Sequence, residues 1–218
     1  KEMAVKYIGS LKDLPGEEQW VDHKVRMPKG TTEKKIEVPL QTEKGTVNIL
    51  VRKEMAYTPR SNVELEVLNA ILRLRYTEEV REKEGGTYGV GVGSSSNQYP
   101  YERKTLQINF DTDPEKADHL KSIIFREIDK IVTDGPTQED LDKVILNMKK
   151  DRAQAKEHNN YWMNALYNDY YHGFNPDAAE NFDDILDGLT TSQIQEFAKA
   201  FYTDADVVDV VFLPKKAE

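Results

Sequence analysis

Apolar residues along this chain fall into blocks of two different periods. Ile36, Val38 and Leu40 alternate with polar neighbours, as do Val47, Ile49 and Val51, with Gly45 in the turn between them. Alternation of this kind marks a strand with one buried face, so the two runs read as a hairpin. Over 61–82 the spacing changes. Val63, Val67, Ala70, Ile71 and Leu74 recur every three or four residues and line one face of a helix. Ser61 or Asn62 suits its N-cap, and Gly85 and Gly86 stop it. Period two then returns: Tyr88, Val90 and Val92 point one way while Gly89, Gly91 and Gly93 point the other. A strand face made only of glycine implies close approach to the backbone.

Leu106, Ile108 and Phe110 make the next strand, and a second amphipathic helix covers 113–134 with Ala117, Leu120, Ile124, Ile128 and Ile131 inward. Thr137 and Asp140 have capping-box spacing and open a third helix carrying Leu141, Val144, Ile145 and Met148. An aromatic helix (Tyr161, Trp162, Leu166, Tyr170) is expected over 160–172 and a short one near 181–187. The last helix, 191–202, turns Ile194, Phe197, Ala198 and Phe201 inward. The run 207–213 is nearly all apolar and reads as a strand buried on both faces. This order predicts an α+β fold, a two-layer sandwich of a mainly antiparallel sheet with helices packed on one face. Ahead of it, 1–14 carries a sparse apolar set (Val5, Ile8, Leu11, Leu14) that reads as the tail of a preceding element. The stretch 15–35 reads as an extended connection, leaving 36–218 as the domain.

Composition narrows the chemistry. A formal charge of −9 repels phosphate backbones and no basic stripe offsets it, which argues against nucleic acid as a partner. With no cysteine there is no disulfide, no Cys-ligated zinc or iron–sulfur cluster and no thiol nucleophile. No apolar run approaches the ~20 residues needed to span a bilayer, and the first ten residues show no signal-peptide pattern. His23, His119, His158 and His172 stand in neither HExxH nor HxxEH, so no metal site is expected. The run GGTYGVGVG matches neither GxGxxG nor a phosphate-binding P-loop, and no serine lies in GxSxG.

What remains is a pair, Arg81 and Tyr88, in the stretch Arg-Glu-Lys-Glu-Gly-Gly-Thr-Tyr. Structurally, Arg81 compensates the negative end of a helix dipole and pairs with Glu78, while Tyr88 opens a strand half buried in the core. Chemically, a guanidinium grips backbone carbonyls and a phenol donates to a developing oxyanion. On spacing alone the structural reading is the favoured one.

The stretch 72–93 resembles the arginine-and-tyrosine region in the C-terminal half of the M16 (insulinase/pitrilysin) metallopeptidases. The likeness continues through Lys6-Tyr-Ile-Gly-Ser-Leu11, Phe110-Asp-Thr-Asp-Pro-Glu115, Gly135-Pro-Thr-Gln-Glu-Asp140, Asn160-Tyr-Trp162, Leu189-Thr-Thr-Ser-Gln-Ile194 and the strand 208–214. These phrases are similar to those of the PqqL-like bacterial zinc proteases. The resemblance implies a fold of the LuxS/MPP-like metallohydrolase type and the last, metal-free domain of an enzyme with two related α+β domains in each half. The implied zinc (Zn2+) is bound by HxxEH in the N-terminal half of the same polypeptide, with none in this chain. The implied partners are that half and peptide substrates held in a chamber between the halves. Arg81 and Tyr88 would be the substrate-binding residues, with Tyr88 also the catalytic oxyanion donor. The resemblance points to the periplasm, with the cytoplasm as the alternative compartment. The alternative function is a catalytically silent scaffold or peptide-binding domain of the same fold.

Overall fold

The computed structural model describes residues 1–12, 21–39 and 43–215. Leu14, Leu40 and most of the first half of the expected connection lie outside the described residues. Five strands form one sheet: β1 (Thr31–Val38), β2 (Gly45–Glu54), β3 (Gly91–Asn97), β4 (Arg103–Thr112) and β5 (Asp206–Pro214), in the order β1-β5-β2-β4-β3. The helices are α1 (Glu2–Tyr7), α2 (Pro59–Tyr76), α3 (Ala117–Asp134), α4 (Gln138–Ala155), α5 (Asn159–His172), α6 (Asp183–Asp187) and α7 (Thr191–Tyr202). The core lies between one sheet face and α2, α3, α4 and α7. Val47, Ile49, Val51, Leu106 and Ile108 from the sheet meet Leu68, Ile71, Leu120, Ile124, Leu141, Ile194 and Phe201. The opposite face carries Asn48, Leu50, Arg52, Gln107 and Asn109, all at least partly exposed. The expected α+β sandwich, mainly antiparallel with helices on one face, is the architecture observed.

The expected hairpin is not. β5 lies between β1 and β2, parallel to β1 and antiparallel to β2, with Val47 opposite Val211. Alternation says which face a strand buries but not which strand lies beside it. β1 is largely exposed (Ile36 at 37%), so the more apolar β5 takes the inner place. Nor is β5 buried on both faces. Asp209 and Val211, which face the helices, are buried, whereas Val208, Val210 and Phe212 are half-buried because no helix covers their side.

Three helix starts differ from the expected ones in instructive ways. α2 begins at Pro59, whose fixed φ suits a first turn, and its cap is Thr58, which accepts from Ser61 N at 3.1 Å while Ser61 Oγ accepts from Thr58 N at 3.2 Å. Ser61 is thus the partner in the capping box, not the cap. A 3-10 turn, Pro114–Lys116, precedes α3. Thr137 does cap α4 by accepting from Asp140 N at 3.1 Å, but the Asp140 carboxylate reaches Arg75 at 2.9 Å instead of turning back. α5 has nearly the expected bounds yet buries only Ala165, leaving Trp162 45% and Tyr170 89% exposed. Among the described residues no helix is long and apolar enough to cross a membrane.

Candidate substrate-facing site

Arg81 sits where α2 changes character. Beyond Tyr76 the backbone widens into a π-helical stretch, Thr77–Glu82. Tyr76 and Val80, four residues apart on one face, are fully buried while Arg81 faces solvent. The ion pair expected with Glu78 is absent, and among the described residues no hydrogen bond or ion pair engages the Arg81 guanidinium. The carboxylate that is used here is Glu79, which meets Lys83 at 2.5 Å and Arg126 at 3.4 Å; the Lys83 bond holds its carboxyl below the usual range.

The loop after it is pinned at each step. Gly85 adopts φ +57, a left-handed conformation that favours glycine. Thr112 Oγ1 donates to Gly86 O at 2.7 Å, tying the loop to the end of β4. A Cβ on Gly86 would come within 2.8 Å of Leu120 Cδ1. Thr87 Oγ1 accepts from Gly89 N at 3.3 Å and donates to Gly89 O at 3.0 Å, closing a tight local turn around Tyr88. This turn holds Tyr88 out of the sheet, before β3 begins, with 88% of its surface exposed. The half-buried strand position expected from alternation is therefore not adopted. The Lys44 ammonium lies 4.7 Å from the ring centroid, and among the described residues no group bonds the phenol hydroxyl. Tyr88 borders a shallow depression of about 280 Å³ shared with Lys44, Gly86, Asp111 and Asp113. Arg81 is not part of its lining.

The close approach expected at the glycine face holds at Gly91 and not at Gly89 or Gly93. A Cβ on Gly89 or Gly93 would meet nothing within 4 Å, and one on Gly91 would meet the side-chain oxygen of Asn109. The histidines are dispersed. His119 Nε2 lies 3.0 Å from Glu84, and His172 Nδ1 lies 2.8 Å from Gln98 Oε1, with burial lowering its pKa. α5 is continuous, with His158 as its N-cap and His172 as its last residue, so helix rise sets them roughly 20 Å apart. Among the described residues no three His, Asp or Glu side chains are grouped to hold a metal ion.

Sequence reasoning missed Lys104. It is fully buried in β4, bonded to Asn62 Oδ1 and, at 3.0 Å, to Ser96 Oγ. Parity could have found it, since Lys104 shares the inward register of Leu106, Ile108 and Phe110.

Known proteins share this architecture and parts of this sequence. Residues 1–148 match the family model described as the peptidase M16 inactive domain. A curated relative, a "zinc protease PQQL-like" of Arabidopsis thaliana, is 23% identical over 108 residues, 47% of this chain and 11% of its own length. The periplasmic protease PqqL of Escherichia coli superposes with a TM-score of 0.79 at 17% identity, over 98% of this chain and 24% of its own. A peptidase M16 inactive domain from Pseudomonas fluorescens gives 0.71 at 20% identity, over 93% of this chain and 48% of its own. These structural likenesses establish the fold, and the chain spans about a tenth of the plant protein and a quarter of the bacterial protease.

Proposed function

From the premise that this chain belongs to the family of peptidase M16 inactive domains, we propose that it is the substrate-binding, metal-free domain of a zinc-dependent peptidase. The observation that carries the reading is Tyr88: a phenol held almost wholly in solvent by a pinned glycine loop, with its hydroxyl uncommitted. A donor meant for a substrate held by a partner domain would be placed in this way, on a loop fixed by hydrogen bonds.

The described residues do not fit zinc, because no carboxylate or imidazole group converges. The metal is assigned to the N-terminal half of the same polypeptide, where it would activate water. This chain's part is to bind and orient. Tyr88 Oη donates a hydrogen bond to the carbonyl oxygen of the scissile peptide as negative charge grows there, a contribution on the order of 3 kcal/mol. Arg81 offers parallel N–H groups to substrate backbone carbonyls, which sets register without reading side chains. Because the groups lie on a separate domain, activity depends on closure of that domain over the peptide.

The test uses the complete polypeptide with a fluorogenic peptide. Tyr88→Phe is expected to lower kcat on the order of 100-fold with KM little changed. Arg81→Ala is expected to raise KM about tenfold. Both side chains are exposed, so thermal unfolding should be unaffected. Unchanged turnover in both variants would make the domain a scaffold.

A further inference from the structure

A cavity of about 240 Å³ lies between α2, the end of β3 and the turn after α5, and neither Arg81 nor Tyr88 is part of its lining. Sites for drug-sized ligands run to ~300–1,000 Å³, so this one suits a smaller molecule. Asn62 and Ser96 line it, and both accept from the Lys104 ammonium, Ser96 at 3.0 Å. A lysine can only donate. Asn62 therefore turns its amide oxygen to Lys104 and keeps its amide nitrogen to donate elsewhere, and Ser96 keeps its O–H. Lys104 itself is fully buried, with its ammonium 5.6 Å from the centre of the Tyr57 ring. A molecule in the cavity thus meets the positive charge through two donors backed by it, an arrangement suited to a carboxylate.

Glu66 lies one helical turn beyond Asn62 on the same face of α2. It also lines the cavity and is exposed there. Among the described residues no ion pair engages it: Arg152, whose charge reaches it, is committed to Pro176 O at 2.7 Å and to Asp177 at 3.4 Å. Burial raises its pKa against the pull of Arg152 and Lys104, just as burial lowers that of Lys104. Each charge therefore lacks a counter-charge near enough to offset its desolvation. A small zwitterion lying the opposite way round supplies both. Phe174 and Phe182 give the remaining wall an apolar surface.

We infer that this cavity binds a free apolar α-amino acid, its carboxylate on Asn62 and Ser96, its ammonium on Glu66 and its side chain against Phe174 and Phe182. The charged ends fix orientation, and the rings favour an apolar side chain over a polar one. The site is separate from the substrate-facing reading of Tyr88, because an amino acid held here touches neither residue of that reading.

The probe is L-leucine, titrated into the 218-residue chain with amide NMR shifts as the readout. Shifts are expected at 62–66 and 94–96, saturating with a Kd of about 1 mM or below. Leucinamide lacks the carboxylate and N-acetyl-leucine lacks the ammonium, and each is expected to bind about tenfold or more weakly. Lys104→Met should weaken leucine binding about tenfold and erase its advantage over leucinamide, whereas Glu66→Gln should erase its advantage over N-acetyl-leucine. Glu66 is exposed, so its variant reads the site even where Lys104→Met fails to fold. Shifts confined to other residues, no saturation by about 20 mM leucine, or equal binding of either analogue would overturn the inference. Tyr88→Phe is expected to leave leucine binding unchanged, so this site and the substrate-facing one stand or fall separately.

Discussion

The ammonium of Lys104 has Asn62 and Ser96 for company and no carboxylate within ion-pairing distance among the described residues. Burial therefore dominates its titration and lowers its pKa from 10.5 to about 8, against the smaller opposing pull of Glu66, Glu102 and Glu64. Below pH 8 the lysine is protonated in both folded and unfolded chains, and the full cost of the buried charge is present. Between about 8 and 10.5 the unfolded chain holds a proton the native one has lost, so this group makes stability rise with pH; above 10.5 its cost is gone. Lys104→Met lacks the effect. The difference in unfolding free energy, wild type minus variant, is expected to rise by on the order of 2–3 kcal/mol across that window. Urea titrations at its two ends measure it, and a flat difference would mean that water reaches the ammonium. Arg81 and Tyr88 show the opposite state, polar side chains that face solvent and carry little burial cost.

Helix ends are where the elements hold local, removable stability. α7 has a complete capping box: Thr190 Oγ1 accepts from Gln193 N at 3.3 Å and Gln193 Oε1 accepts from Thr190 N at 3.0 Å. Thr190→Ala is expected to cost about 1 kcal/mol and to lower Tm by roughly 2–4 °C in a chain of this size; a calorimetric scan checks it. The bounds of α7 and its four inward residues were legible beforehand because cap and periodicity agree. The π-helical turn was not legible, because the apolar spacing runs through 61–82 without a break. Tyr76 and Val80 continue the buried row of Leu68 and Leu72 at a spacing of four, so the turn leaves no mark in the pattern. α5 was legible as an aromatic helix, and most of its rings stay exposed because a helix buries rings only where another layer meets it.

At the scale of the whole molecule, the last strand sits near the middle of the sheet. β5 pairs with β1 on one side and β2 on the other, and its one buried charge, Asp209, meets Lys121 Nζ of α3 at 2.7 Å. The sheet therefore cannot close until β5 arrives, and its pairings join residues far apart in sequence. A chain ending at Ala205 is expected to lose its cooperative thermal transition and near-ultraviolet dichroism while keeping part of its helix signal. A sharp melt in that truncation would show that β2, β4 and the helices suffice as a core.

Sequence by itself determined the α+β class, most helices, the inward faces of β2, β4 and α7, and the Arg81–Tyr88 stretch. These come from periodicity, caps and ordered short phrases, which are local properties of the chain. Strand order, the exposure of Tyr88 and the burial of Lys104 were decided only by tertiary structure. The reason is physical: alternation identifies a buried face, but neighbours and edges depend on which strands, far apart in sequence, compete for the same place in the sheet.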